Sequence, residues 1–128
     1  MNYGFSKTVS LTYEQAIEKV TDELKQEGFG VLTDIDVKAT MKKKLDIDFR
    51  NYRILGACNP PFAHKALLAE DKIGTMLPCN VIVQEHAPGQ VEVAAIDPVA
   101  SMSAVDNPGL GAVGMEVRTK LQKVVESL

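Results

Sequence analysis

The stretch from Cys79 to Ile96, CNVIVQEHAPGQVEVAAI, constrains the fold most. Two runs rich in Val and Ile, Cys79 to His86 and Val91 to Ile96, flank the turn-forming segment HAPGQ. Branched side chains favour the pleated strand, and a short Gly-containing loop joins antiparallel neighbours. The chain is therefore expected to build around an antiparallel hairpin, whose strands are the fourth and fifth in chain order.

The upstream sequence supplies the rest of a sheet. Tyr3 to Ser10 reads as a strand with Tyr3, Phe5, Lys7 and Val9 on one side. Thr12 and Gln15 have the spacing of a capping box, and Ala16, Ile17, Val20 and Leu24 then form one apolar helix stripe. Gly28 is expected to end that helix, because glycine takes the left-handed conformation without a Cβ penalty. Phe29, Val31, Thr33, Ile35 and Val37 alternate as a second strand, and Asp36 can cap a short basic helix over residues 37–45. Tyr52 to Cys58 is the third strand. It is almost continuously apolar after Arg53, which predicts cover on both faces. Pro60-Pro61 breaks it and suits the first turn of a helix over PFAHKALLAED, with Gly74 in the loop beyond.

After the hairpin, Asp97-Pro98 stops the fifth strand, and VASMSAVDNP is a loop or a short helical turn. Asn107 or Asp106 caps a final helix with Pro108 at its first position. Leu110, Val113, Val117, Leu121, Val124 and Leu128 form its apolar stripe. There is no linker, low-complexity run or internal repeat. The predicted fold class is α+β: one domain over residues 1–128, in the order strand, helix, four strands, helix. Its antiparallel sheet carries helices packed on one face. Val31, Ile54, Val81 and Val83 suggest enough remaining apolar surface to bury a partner, and a homodimer is expected.

A length of 128 residues suits one domain and buries roughly two thirds of the unfolded surface. The formal charge of −3 gives no steering toward nucleic acid or anionic lipid. The densest basic run, Lys42-Lys43-Lys44, is followed at once by Asp46 and Asp48 and reads as a solvated helix face. The N-terminal MNYGFSKTVSLTYEQ lacks the apolar centre of a signal peptide, and no run approaches the ~18 apolar residues of a membrane span. The expected location is the cytoplasm, where thiols are normally reduced.

The segment ILGACNPPFAHKALLAEDKIGTMLPCNVIVQE, with the hairpin to AAIDP behind it, resembles the domain-of-unknown-function family 302 of prokaryotes. The matching marks are Cys58-Asn59-Pro60, the helix that follows, Gly74, Leu77-Pro78-Cys79 and Asp97-Pro98. The earlier VSLTYEQAIEKVTDELKQEGFGVLTDIDV is also similar, so the resemblance covers nearly the whole chain. It implies a small α+β domain similar in architecture to the TATA-binding-protein-like, helix-grip folds, often a dimer. It implies no established reaction, and fold alone supplies none.

On that fold, Cys58 at the end of one strand and Cys79 at the start of the next lie at the same end of the sheet if the two strands pair antiparallel. Two readings follow. In one, Cys58 and Cys79, with His64 as a third ligand, hold zinc or copper(I), or cycle between dithiol and disulfide. In the other, both cysteines are small buried residues where a strand meets a loop. No C-x-x-C pattern decides between them. His64 by itself reads as an exposed helix residue and His86 as a turn neighbour. GLGAVG, from Gly109 to Gly114, matches a dinucleotide fingerprint in letters alone. It does not follow a strand directly and has no acid about 20 residues on, so a Rossmann site is rejected. Its glycines are expected to let the last helix approach the sheet, and the helix N-terminus could meet an anion. Asp97 and Glu85 lack a recognisable catalytic partner, no nucleophile elbow is present, and the scattered methionines read as filling.

The leading functional expectation is a non-enzymatic small-ligand-binding or interaction domain. An apolar or anionic ligand would sit between the sheet and the last helix, lined by Leu55, Ala57, Ile82, Ala94, Val113 and Val117. Metal or thiol-redox chemistry at Cys58 and Cys79 is the alternative.

Overall fold

The computed structural model describes Met1 to Leu128 throughout. In chain order the elements are β1 (Gly4–Val9), α1 (Tyr13–Gln26), β2 (Gly30–Asp36), α2 (Val37–Leu45), β3 (Tyr52–Cys58), α3 (Pro60–Ala69), a 3-10 helix (Asp71–Met76), β4 (Cys79–Ala87), β5 (Gln90–Ile96), α4 (Pro98–Ser101) and α5 (Pro108–Glu126). One antiparallel sheet has the strand order β1-β5-β4-β3-β2. The α+β expectation holds, and the β4–β5 hairpin closes where Ala87 pairs with Gln90. Gly74, expected in a loop, lies inside the 3-10 helix.

Local chemistry sets the helix ends. The Thr12 hydroxyl accepts from Gln15 N at 3.1 Å, and Gln15 Oε1 accepts from Thr12 N at 3.0 Å, which completes the capping box. At the other end Gly28 has φ +88°. Phe29 N donates to Leu24 O and Gly28 N to Lys25 O, the bond pair of a Schellman motif. Asp36 caps α2 through Ala39 N, and Asn107 caps α5 through Gly109 N at 2.9 Å. The Asn107 amide also donates to Ala69 O at 2.7 Å, tying the end of α3 to the start of α5.

Strand register decides which side chains reach the core. Partners across a ladder share a face, and successive residues alternate. Leu55, Val81, Ala95 and Phe5 form one row beneath the helices; Arg53, Val83, Val93 and Lys7 form the next. Ala16, Val20 and Leu24 of α1 and Val117, Leu121 and Val124 of α5 close over them. Val81 and Val83, read from the sequence as surface for a partner, are instead fully buried. Burial of such side chains is worth about 1.5–3 kcal/mol each, so a register slip of one residue would forfeit the core.

The opposite face carries the row Ile35, Ile54, Ile82, Ala94 and Ser6. Beside it, Gln84 is buried but satisfied: Arg50 Nε donates to it at 3.0 Å, and its own amide donates to Glu92 at 2.8 Å. Ile54 is only half-buried, so the continuous cover expected for β3 holds at Gly56 but not along its whole outer face. Gly56 is covered by Thr33 and Pro78.

The glycines of α5 do not bring it onto the sheet. A Cβ on Gly114 would meet Val99 of α4 at 3.6 Å, an ordinary contact, and one on Gly111 would meet nothing within 4 Å. No helix is long and apolar enough to cross a membrane.

Candidate functional site

Two buried clusters stand side by side without merging. The larger is the sheet–helix core; the smaller is built from Ala66, Ile73, Met102 and Leu110. Between them lies a cavity of about 290 Å³, open to solvent on one side. It exists because small residues occupy the positions where the clusters would otherwise meet: Ala57 of β3, Ala63 and Ala66 of α3, Gly74, and Gly114 of α5. Its apolar lining, 13 hydrophobic residues of 18, distinguishes it from the other concavities of the surface.

Leu32 and Leu67, 67% and 42% exposed, lie at the mouth. Leu32 arrives there through a β-bulge. The pairing of β2 with β3 shifts between Val31 and Thr33, which leaves Leu32 unpaired, and a bulge re-aims the side chain it carries. Phe62 also lines the cavity, and the ammonium groups of Lys65 and Lys120 lie 5.6 and 5.9 Å from its ring centre. Neither lysine takes part in a salt bridge.

Both cysteines line this cavity, and the β3–β4 register places Ala57 opposite Cys79, with Cys58 next along the strand. The expectation that they share one end of the sheet therefore holds. Both are free thiols; Cys79 is buried and Cys58 half-buried. Burial, and secondarily the neighbouring Cys58, pushes the Cys79 thiol from an ordinary 9.0 up to about 11. A thiol so raised is neutral at pH 7, which is the opposite of an activated nucleophile or metal ligand. His64 is exposed on α3 and does not line the cavity, and no three Cys, His, Asp or Glu side chains converge as a metal site would require.

Of the six residues expected around a ligand, Ala57, Val113 and Val117 line the cavity. Leu55 is 1% exposed and packs in the main core instead. Ile82 and Ala94 lie on the opposite face of the sheet, because they alternate with Val81, Val83, Val93 and Ala95. The sequence reading also passed over Asn59, which lines the cavity at 8% exposure, and Leu32. The one sequence trace of Leu32 is the adjacency of Val31 and Leu32 in a run that otherwise alternates. Asp97, read as a turn former, caps α4 through Val99 N at 2.9 Å and pairs with Arg118 at 3.0 Å.

No curated protein matches the chain. Among solved structures it is similar to an uncharacterized conserved protein DUF302 from Bacillus stearothermophilus. The identity is 27%, with 98% of each chain covered and a TM-score of 0.90. The family model described as domain of unknown function DUF302 matches residues 5–128. A match spanning all but the first few residues, with a solved relative superposing over the same length, means that the chain belongs to the DUF302 family.

Proposed function

We propose that this protein is a non-enzymatic binding domain that takes one small, mainly apolar organic molecule into the cavity between its two cores. The observation that carries this reading is the cavity itself: about 290 Å³, open, and lined by 18 residues of which 13 are hydrophobic. That volume is at the lower end for ligand sites and about twice that of an engineered cavity that binds benzene. A molecule of one or two rings, or a short branched chain, suits it. Lys65 and Lys120 over Phe62 suit an anionic substituent projecting from the mouth.

The thiol reading is weaker on this geometry. It needs a thiolate, and burial of Cys79 disfavours one. The free cysteines do fit a reducing compartment, and we place the protein in the cytoplasm. We further propose a homodimer that covers the row Ile35, Ile54 and Ile82, in which Ile35 is 46% exposed.

Native mass spectrometry of freshly purified protein, with and without chelator, tests these points together. The expected spectrum is a dimer, unchanged by chelator, carrying a substoichiometric organic mass that is lost on mild activation. A metal removed both by chelator and by Cys58→Ser would overturn the cavity reading in favour of thiol chemistry. A monomer would overturn the dimer.

A further inference from the structure

A second cavity, of about 220 Å³ and open to solvent, is bounded by α4, the loop after it and the start of α5. Val99, Val105 and Leu110 give it apolar walls, and Ser103 and Asn107 polar ones. Three residues, Pro98, Met102 and Gly114, line both this cavity and the main one. The two spaces therefore approach within the thickness of a single residue.

Of those three, one can move. Pro98 is buried, with its ring fixed to the backbone, and Gly114 has no side chain. Met102 has three rotatable bonds and a polarisable thioether, which let it repack around irregular spaces. It lies at 9% exposure in the smaller cluster, against Ala66, Ile73 and Leu110.

Helix α5 supplies space rather than contact. The run GLGAVG neither binds a dinucleotide nor brings the helix onto the sheet. Glycine inside a helix is less favourable than alanine, and packing does not demand it here. A Cβ on Gly111 would meet nothing within 4 Å, and one on Gly114 would make an ordinary contact with Val99. Both glycines line the second cavity, so their missing side chains leave room in it.

Resting on the cavity reading above, we propose that the second cavity is an arm of the same binding site, entered when Met102 swings aside. The ligand class is then a ring-sized apolar body carrying one slender, unbranched chain. The body fills the main cavity, and the chain runs past Met102 between α4 and α5.

The probes are para-ethylphenol, para-n-butylphenol and para-n-hexylphenol, titrated into wild-type protein labelled with ¹³C and ¹⁵N. Ala57 and Ala63 line the main cavity alone, and Val105 and Gly111 the second alone. Resonances of Ala57 and Ala63 are expected to move with all three probes. Those of Val105 and Gly111 are expected to move with the hexyl compound and not with the ethyl one. Affinity is expected to rise about tenfold for each added pair of methylenes, most of what their full burial is worth. In Gly111→Leu, which adds a side chain at the second cavity, the hexyl-to-ethyl affinity ratio is expected to fall at least about tenfold. The spectra use wild type alone, so a poorly folding variant leaves the test standing. If the hexyl compound moves Ala57, Ala63 and Leu32 but not Val105 or Gly111, its chain leaves through the mouth; that overturns the arm and keeps the main cavity as a binding site. A wild-type ratio in Gly111→Leu would also overturn the arm. Absence of binding by all three up to their solubility limits would overturn the cavity reading, and the arm with it.

Discussion

Gly56→Ala is expected to destabilise the protein by about 3 kcal/mol, toward the upper end for overpacking a closed site. A Cβ at this position would run into the Thr33 hydroxyl and come within 2.6 Å of Pro78 Cγ. The threonine can rotate away. The proline ring cannot, because it is anchored between the cavity wall and the start of β4. Relief would require β2 or the Leu77–Cys79 segment to shift, and both border the cavity. Gly111→Ala supplies the control. A Cβ there meets nothing within 4 Å, and alanine is the better helix former by roughly 0.5–1 kcal/mol, so that variant is expected to be more stable than wild type. Urea unfolding of the two variants checks the pair. A Gly56→Ala midpoint at or above wild type would contradict the closure of Thr33 and Pro78 over β3.

Alkaline pH is expected to weaken the fold through Cys79. The folded thiol titrates near 11 and the unfolded one near 9.0. Below pH 9 the proton is bound in both states, and the preference for the neutral thiol is fully satisfied. Between pH 9 and 11 the unfolded chain loses its proton while the folded chain keeps it, so the unfolded state binds fewer protons and stability falls as pH rises. The loss amounts to about 2 kcal/mol by pH 11. Tyr13, also raised mainly by its burial, adds a slope of the same sign. Cys79→Ala removes the cysteine part alone, so the comparison of wild type with this variant isolates it. Urea midpoints at pH 8.5 and 10.5 are expected to converge as pH rises. Parallel curves would mean that the thiol is exposed in solution and open to the chemistry that its burial disfavours.

Much of the fold was legible because it rests on local chemistry. Thr12 with Gln15, Gly28, Asp36, Asn107 with Pro108, and the Ala87–Gln90 closure each act within a few residues, and each behaves as its residue type requires. The site was legible only in part. Val81, Ile82 and Val83 are apolar without alternation, so the run does not reveal which of them face the helices; the pairing register does. Leu32 reaches the cavity through a bulge, and only the pairing of β2 with β3 locates that bulge. Asn59 makes no side-chain cap bond on α3, and its amide reaches the Glu27 carbonyl 32 residues away, a contact that no local pattern announces. The cavity is a property of two clusters that fail to meet. No window of sequence contains both.

The most direct test of that cavity as a binding site is fluorescence titration with the two-ring dye 1-naphthylamine, comparing wild type with Ala63→Trp. Ala63 lines the cavity on α3 and is half-buried, so a tryptophan there can occupy the space without entering either core. Wild type is expected to bind one dye per chain with saturable enhancement. Ala63→Trp is expected to lose at least about tenfold in affinity, a difference of ~1.4 kcal/mol or more, with its urea midpoint preserved. Equal binding by the two proteins, or no saturable binding by wild type, would contradict the assignment of function to this cavity.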